Sequence, residues 1–408
     1  MRKIYKVLYV VLIIFIVSLQ SIKVYADDEI SINAKAGIIV ELNTGKVIYE
    51  KNSKEQNYPA SVTKILTAII VIENSKLDDV ATASETAISM IPAGYVVAPL
   101  SVGEKMNVED LLYALMLKSA NDAAYVLAEH VGGSIDKFSD MMNNKAKEIG
   151  CKNSHFVNPN GIHNDEHYTT AYDMYLISDY AMKNETFAKI VSTYEYTLPA
   201  TNKYKNTDRV MKNSNNFVNP NSSYYNKSVK GIKTGTTTQA GNCLITYASK
   251  DGLDFINVVL GAETSNGKFN ETNKMIKYSF DNYTLTKMHE KGEKIKTIEV
   301  EKATEETKKL DLLISESITV MNNKKTTKNQ ITPEINLNEE IEAPIIKGQE
   351  LGTIKYVVED IEYNAKLLAE NDVEKRTYYK EIAIAVGVVV IIIVVLVIVK
   401  KRLKRQIL

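Results

Sequence analysis

Pro59-Ala60-Ser61-Val62-Thr63-Lys64 opens an apolar helical pattern that runs to about Glu73. Residues three apart on a helix share a face, so the Lys64 amine can reach the Ser61 hydroxyl. A serine hydroxyl is a weak nucleophile until a base takes its proton. Lysine can be that base only if burial or a neighbouring positive charge lowers its pKa. A helix start also turns backbone N–H groups toward a developing oxyanion. The spacing alone decides little, because Ser134-Ile135-Asp136-Lys137 and Ser265-Asn266-Gly267-Lys268 repeat it. A capping serine and a solvated lysine explain an isolated copy. The Ser61 copy differs in context, with a proline just before it and a strongly apolar helix after it.

Working outward, residues 36–41 and 47–50 read as a β-hairpin around Asn43-Thr44-Gly45. Asn107 can cap a helix over 108–117, and another spans 122–130, stopping at Gly132-Gly133. Residues 135–150 look helical too. Strands are expected at 244–249 and 255–260, joined by Lys250-Asp251-Gly252, with a closing helix at 275–280. Strands at both ends with helices between imply one α/β layered domain over 27–284. Beyond it the composition shifts to short alternating runs of Lys, Glu, Thr and Ile, punctuated by Pro333, Pro344 and Gly348. This reads as a small β domain over 285–374, followed by a short charged linker.

The two ends address the chain to a membrane. A basic start, an apolar run at 7–19 and Val24-Tyr25-Ala26 form a secretory signal over 1–26, cut after Ala26. Residues 382–399 carry no charge and are long enough to cross a bilayer. The basic tail 400–408 keeps that end cytoplasmic, which leaves everything between the two apolar segments outside the cell. The expected location is the cell membrane, single-pass, with the folded part on the cell-wall side. Lys plus Arg and Asp plus Glu are both 50, so no basic excess argues for nucleic acid. The two cysteines, Cys151 and Cys243, can pair or remain buried thiols. His163 and His167 have a zinc-like spacing, but they follow turn sequence and no HExxH pattern exists. No metal or cofactor is expected, and His167 reads as a hydrogen-bonded structural residue.

Two further segments matter. Ser119-Ala120-Asn121 lies between helices, where Ser can relay a proton and Asn can hold an amide. In Lys233-Thr234-Gly235-Thr236, alternation along a strand puts Lys233 and Gly235 on one face and Thr234 on the other. Gly235 would let a substrate backbone lie close to the strand edge. Each segment alone is explained as an ordinary turn or strand start. In this order, Ser-x-x-Lys, Ser-x-Asn and Lys-Thr-Gly form the motif set of class A β-lactamases and penicillin-binding proteins, whose middle member is usually Ser-Asp-Asn.

The chain resembles the D-alanyl-D-alanine carboxypeptidases of the low-molecular-mass penicillin-binding protein family. Asn158-Pro159-Asn160-Gly161 with His167 and Asp173, and Ala240-Gly241-Asn242-Cys243-Leu244, are similar to further family segments. Residues 287–374 resemble its C-terminal β domain, most legibly at Ile346-Lys347-Gly348-Gln349-Glu350-Leu351-Gly352. The resemblance implies an α/β (α+β) penicillin-binding/β-lactamase-like transpeptidase fold. That means an antiparallel sheet with helices on both faces, a small C-terminal β-sandwich and one C-terminal transmembrane helix. It implies that Ser61 attacks the bond between the terminal D-alanines of a peptidoglycan stem peptide. Lys64 would be the base, and Ser119 with Lys233 the proton route to the leaving amine. Asn121 would orient the substrate amide, Lys233 and Thr234 would bind the terminal carboxylate, and the N–H groups of Ser61 and Thr236 would hold the oxyanion. β-Lactams would acylate the same serine. The alternatives are a β-lactamase, a DD-endopeptidase and a non-catalytic wall-associated scaffold. A β-lactamase needs a carboxylate base, and Glu166 lies outside the Glu-x-x-x-Asn pattern such enzymes use.

Overall fold

The hairpin around Gly45 forms: β1 (Ala36–Glu41) pairs antiparallel with β2 (Val47–Lys51), with Gly45 at φ +71°. The computed structural model describes residues 30–406. The expected secretory signal lies outside them, as do the last two residues. Three later strands complete the sheet: β3 (Lys233–Thr237), β4 (Gly241–Lys250) and β5 (Leu253–Ala262). The order is β2-β1-β5-β4-β3, every neighbouring pair is antiparallel, and β3 is an edge. Between β4 and β5 both Asp251 (φ +53°) and Gly252 (φ +82°) have positive φ, the twist a two-residue hairpin needs.

Helices cover both faces. Helix α1 (Lys64–Asn74) follows a 3₁₀ turn at Ala60–Thr63, and its first eight residues, Lys64 to Val71, are all buried. A helix apolar on every side belongs at the centre of a core. It packs on α2 (Asn121–Gly132), α3 (Ile135–Ile149) and α4 (Ala171–Met182), and α4 lies across β1 and β5. On the other face α5 (Ser265–Asn282) crosses β4 and β5. It starts well before the expected Met275, because Thr264 caps it by accepting the Gly267 N–H at 2.9 Å. Asn266, Gly267 and Asn270 had hidden its first turns from a propensity reading. The helix expected over 108–117 is α-helical only at Val108–Tyr113 and then widens into a π turn at Ala114–Lys118.

The second unit begins where α5 ends. Strand Tyr283–His289 pairs with Ile318–Asn323, and a five-stranded antiparallel sheet runs in the order Lys294–Glu299, Lys309–Ile314, Ile361–Ala369, Glu350–Val358, Glu334–Leu337. Leu310, Leu312 and Ile314 alternate inward and pack with Val320, Ile354 and Leu367. The two units share an apolar cluster in which Met321 and Tyr283 meet Ile39 and Phe255. Lys46 and Glu359 add an ion pair at 3.2 Å. The last element, α6 (Tyr379–Gln406), contains a stretch, Ile382–Arg402, long and apolar enough to cross a bilayer, with mean hydropathy 3.8 and none of it buried.

Candidate active site

Ser61 sits half-buried on the 3₁₀ turn, and Lys64 is wholly buried at the start of α1. Lys64 Nζ has three acceptors around it: Ser61 Oγ at 3.0 Å, Asn121 Oδ1 at 2.9 Å and the Asn160 carbonyl at 2.7 Å. None of them is a carboxylate. Burial lowers the Lys64 pKa well below its ordinary value, Lys233 pushes it the same way, and Asp122 opposes them. The neutral amine keeps two N–H groups and one lone pair. Asn121 Oδ1 and the Asn160 carbonyl only accept, so they take the two N–H groups and leave the lone pair facing Ser61 Oγ. That is the orientation of a base.

The wall that carries Ser119 and Asn121 is strained. After the π turn Ser119 adopts φ +66°, a conformation non-glycine residues enter at a cost. Asn121 Nδ2 donates to the Val96 carbonyl at 3.0 Å, which fixes Oδ1 toward Lys64. Asp122 clamps the same loop: its carboxylate accepts the Ala98 N–H at 2.9 Å and the Leu100 N–H at 3.0 Å.

The opposite wall is β3. Lys233 is buried, and its pKa is pushed down to about 7, first by burial and then by Lys268. Thr234 Oγ1 lies 2.6 Å from Ser214 Oγ, and Thr236 Oγ1 lies 3.1 Å from Asn242 Oδ1. At Gly235 the reading is corrected. A side chain there would come within 2.9 Å of Ser61 N and 3.1 Å of the Pro59 carbonyl, so the room it leaves is filled by the turn that carries Ser61 and not by substrate. Gly161 makes a second close approach. At φ +79°, a Cβ would lie 1.8 Å from the Ala60 carbonyl. Gly161→Ala is therefore expected to lower stability by about 3 kcal/mol, combining a left-handed backbone penalty with overpacking. Thermal unfolding would check this, and an unchanged Tm would contradict it.

Together Ser61, Ser119, Asn121 and Thr236 line one cleft of about 520 Å³, whose rim includes Tyr95, Val96, Ile162 and Gln239. Lys233 and Thr234 lie behind it on β3. Four contributors escaped the sequence reading: the Asn160 carbonyl, Ser214, Asp122 and Lys268. Lys268 belonged to a Ser-x-x-Lys copy set aside as solvated, yet it is buried and its Nζ lies 3.4 Å from Thr236 Oγ1. The other copy behaves as capping predicts, since Ser134 Oγ accepts the Lys137 N–H at 3.3 Å.

His167 is structural, as read. Burial, the largest cause, lowers its pKa to about 3, so it is neutral. The Val157 N–H donates to Nδ1 at 3.1 Å, so Nε2 carries the proton toward Thr63 Oγ1 at 2.9 Å. Thr63 in turn donates to the Ala60 carbonyl at 2.9 Å, bracing the turn of Ser61. Glu166 is exposed, and among the described residues no carboxylate lines the cleft. Both cysteines are free thiols, with burial pushing Cys151 up to about 12 and Cys243 up to about 11.

The pH dependence of acylation follows from these charges. With Lys64 as the expected base, the rate should rise with pH as Lys64 loses its proton. Lys233→Met removes a charge that lowers the Lys64 pKa, so the acid limb should move to higher pH. Asp122→Asn removes the opposing charge, so the limb should move to lower pH. Stopped-flow penicillin acylation across pH measures both, and shifts of the same sign would contradict the account.

A desolvated lysine touching a serine at the mouth of a cleft is the equipment of a serine acyl-transfer enzyme. Comparison with known proteins gives the class its family. Residues 23–264 match the peptidase family described as D-alanyl-D-alanine carboxypeptidase, and residues 283–375 match the C-terminal domain of penicillin-binding protein 5. The chain is 34% identical over 360 residues to D-alanyl-D-alanine carboxypeptidase DacF of Bacillus subtilis, covering 86% of this chain and 87% of that one. Among solved structures it resembles D-alanyl-D-alanine carboxypeptidase DacD from Francisella tularensis, with TM-score 0.64 and 26% identity over 88% of this chain and 98% of that one. Penicillin-binding protein 5 from Haemophilus influenzae is similar to the same degree, with TM-score 0.64 and 26% identity over 85% and 99%. The chain belongs to the D-alanyl-D-alanine carboxypeptidase family of serine peptidases.

Proposed function

We propose that Ser61, Lys64 and Ser119 carry out this family's reaction in the chain, and that Asn121, Lys233, Thr234 and Thr236 form its substrate groove. The observation that carries the reading is the Lys64 amine, desolvated and turned toward Ser61 Oγ by two neutral acceptors. Lys64 takes the Ser61 proton as Oγ attacks the carbonyl between the two terminal D-alanines of a stem peptide. The Ser61 and Thr236 N–H groups hold the oxyanion, a device that contributes about 3 kcal/mol in other acyl-transfer enzymes. Gly235 supports this role by letting β3 lie directly against the Ser61 turn. Ser119, with Lys233 nearby, hands a proton to the leaving D-alanine nitrogen as the C–N bond breaks. Lys233 and Thr234 receive the terminal carboxylate, and Lys268 adds positive charge at Thr236. Water then releases the acyl group.

Among the described residues the cleft lining holds no carboxylate, which favours this over fast β-lactam hydrolysis. Penicillin should therefore label Ser61 and leave slowly. The test incubates the exported part with a fluorescent penicillin and, separately, with a pentapeptide ending in D-Ala-D-Ala. Stable labelling with D-alanine release supports the reading. Rapid penicillin turnover would make the chain a β-lactamase, and no labelling would make it a scaffold.

We also assign residues 27–284 to the catalytic domain and 285–374 to a β-sandwich stalk. Residues 382–399 would be the membrane anchor, 400–408 a cytoplasmic tail, and the cleft would lie on the cell-wall side. A chain ending at residue 377 is expected in the soluble fraction and the full chain in the membrane fraction. Co-fractionation of both would contradict anchoring by α6.

A further inference from the structure

Beside the cleft lies a second cavity, of about 650 Å³, between the β3–β4 turn and the loop that follows Gly161. Gln239 lines both spaces, and Asp165 of the second follows Ile162 of the first by three residues. The second cavity is polar and carries both signs of charge. Lys35, Lys51, Glu55 and Asp165 all line it, together with Tyr168. Among the described residues, neither Lys35 nor Lys51 has a carboxylate within ion-pair distance. Lys51 Nζ donates only to the Ile32 carbonyl at 2.9 Å, which leaves further N–H groups for a ligand.

Strand direction says what reaches this cavity. β3 runs from Lys233 to Thr237, and it is an edge strand that an extended peptide can join. With the terminal carboxylate at Lys233 and Thr234, the bond attacked by Ser61 lies further along the strand. The upstream residues of the substrate must then leave past Thr237 and Gln239, into the second cavity. We infer that this cavity is an upstream subsite for the charged part of the stem peptide, which carries free carboxylate and amine groups before its D-Ala-D-Ala end. The inference rests on the assignment of the groove along β3. Contacts to a remote part of a substrate can be spent on the chemical step, so the subsite should raise kcat/KM and not merely tighten binding.

The test compares two substrates that share the D-Ala-D-Ala end: a full stem pentapeptide with its γ-linked glutamate, and a tripeptide whose upstream amines are acetylated. The intact chain should show a kcat/KM about tenfold higher for the pentapeptide, the size expected of a charged hydrogen bond. In Lys51→Met that ratio should fall to about threefold or less. Fluorescent penicillin labelling of Ser61 is measured in parallel. A labelled enzyme that cleaves both substrates equally well overturns the subsite and leaves the catalytic reading standing. So does a preference that survives in both Lys51→Met and Lys35→Met. A chain that neither labels nor releases D-alanine overturns the catalytic reading, and the subsite with it.

Discussion

Ser61→Ala should abolish the covalent penicillin adduct and cut D-alanine release by at least about 10⁴-fold, the scale on which loss of a nucleophile acts in other serine peptidases. The fold should survive. Ser61 is half-buried at the cleft mouth, and its side chain makes one described hydrogen bond, to Lys64. Removing that bond costs about 1 kcal/mol, so the unfolding transition should move by only a few degrees. The variant should also still bind the stem peptide, because the residues proposed to hold the carboxylate and the amide are untouched. Intact-protein mass spectrometry after incubation with penicillin decides the matter. A mass increase in the variant would place the nucleophile elsewhere.

Lys64→Met has the second-largest expected effect. Methionine nearly matches lysine in volume, so α1 should remain packed. What disappears is the proposed base, a contribution of about 10²- to 10⁴-fold in acylation. The loss should appear in the acylation rate constant more than in the apparent affinity for penicillin. The Asn121 amide oxygen and the Asn160 carbonyl would lose their donor, at a cost of about 1–3 kcal/mol each. Relief from burying a lysine offsets part of that cost. Lys64→Arg keeps a cation but cannot release a proton near neutral pH, so it should be as inactive. Acylation by the arginine variant within tenfold of the native rate would remove Lys64 from the role of base.

Local chemistry made part of this molecule readable in advance. Gly45, the Asp251-Gly252 turn and the caps at Gly133 and Gly150 are short-range signals, and the elements beside them fall where they were expected. Family resemblance supplied the antiparallel character of the sheet and the grouping of three separated motifs. The contacts that tune Lys64 were not readable, because they cross the chain. Asn160 and Asn121 lie 96 and 57 residues away from it. Lys268 returns to β3 from a helix whose first turns carry Asn and Gly, so its burial left no trace in periodicity. Ser119 was seen as a turn residue, but its positive φ depends on the π turn before it.

The open edge of β3 bears on self-association. An unpaired strand edge is a template for any other extended chain, including a second copy of the same protein. Here that edge borders the cleft, whose lining also includes residues 93–96 and 161–162. Lys233 places an inward-pointing amine on the same strand, a device that discourages edge-to-edge pairing. A slender chain end can enter such a slot, whereas the flank of a folded sheet meets the walls first. The walls beside that edge therefore also hinder neighbouring molecules from joining sheet to sheet.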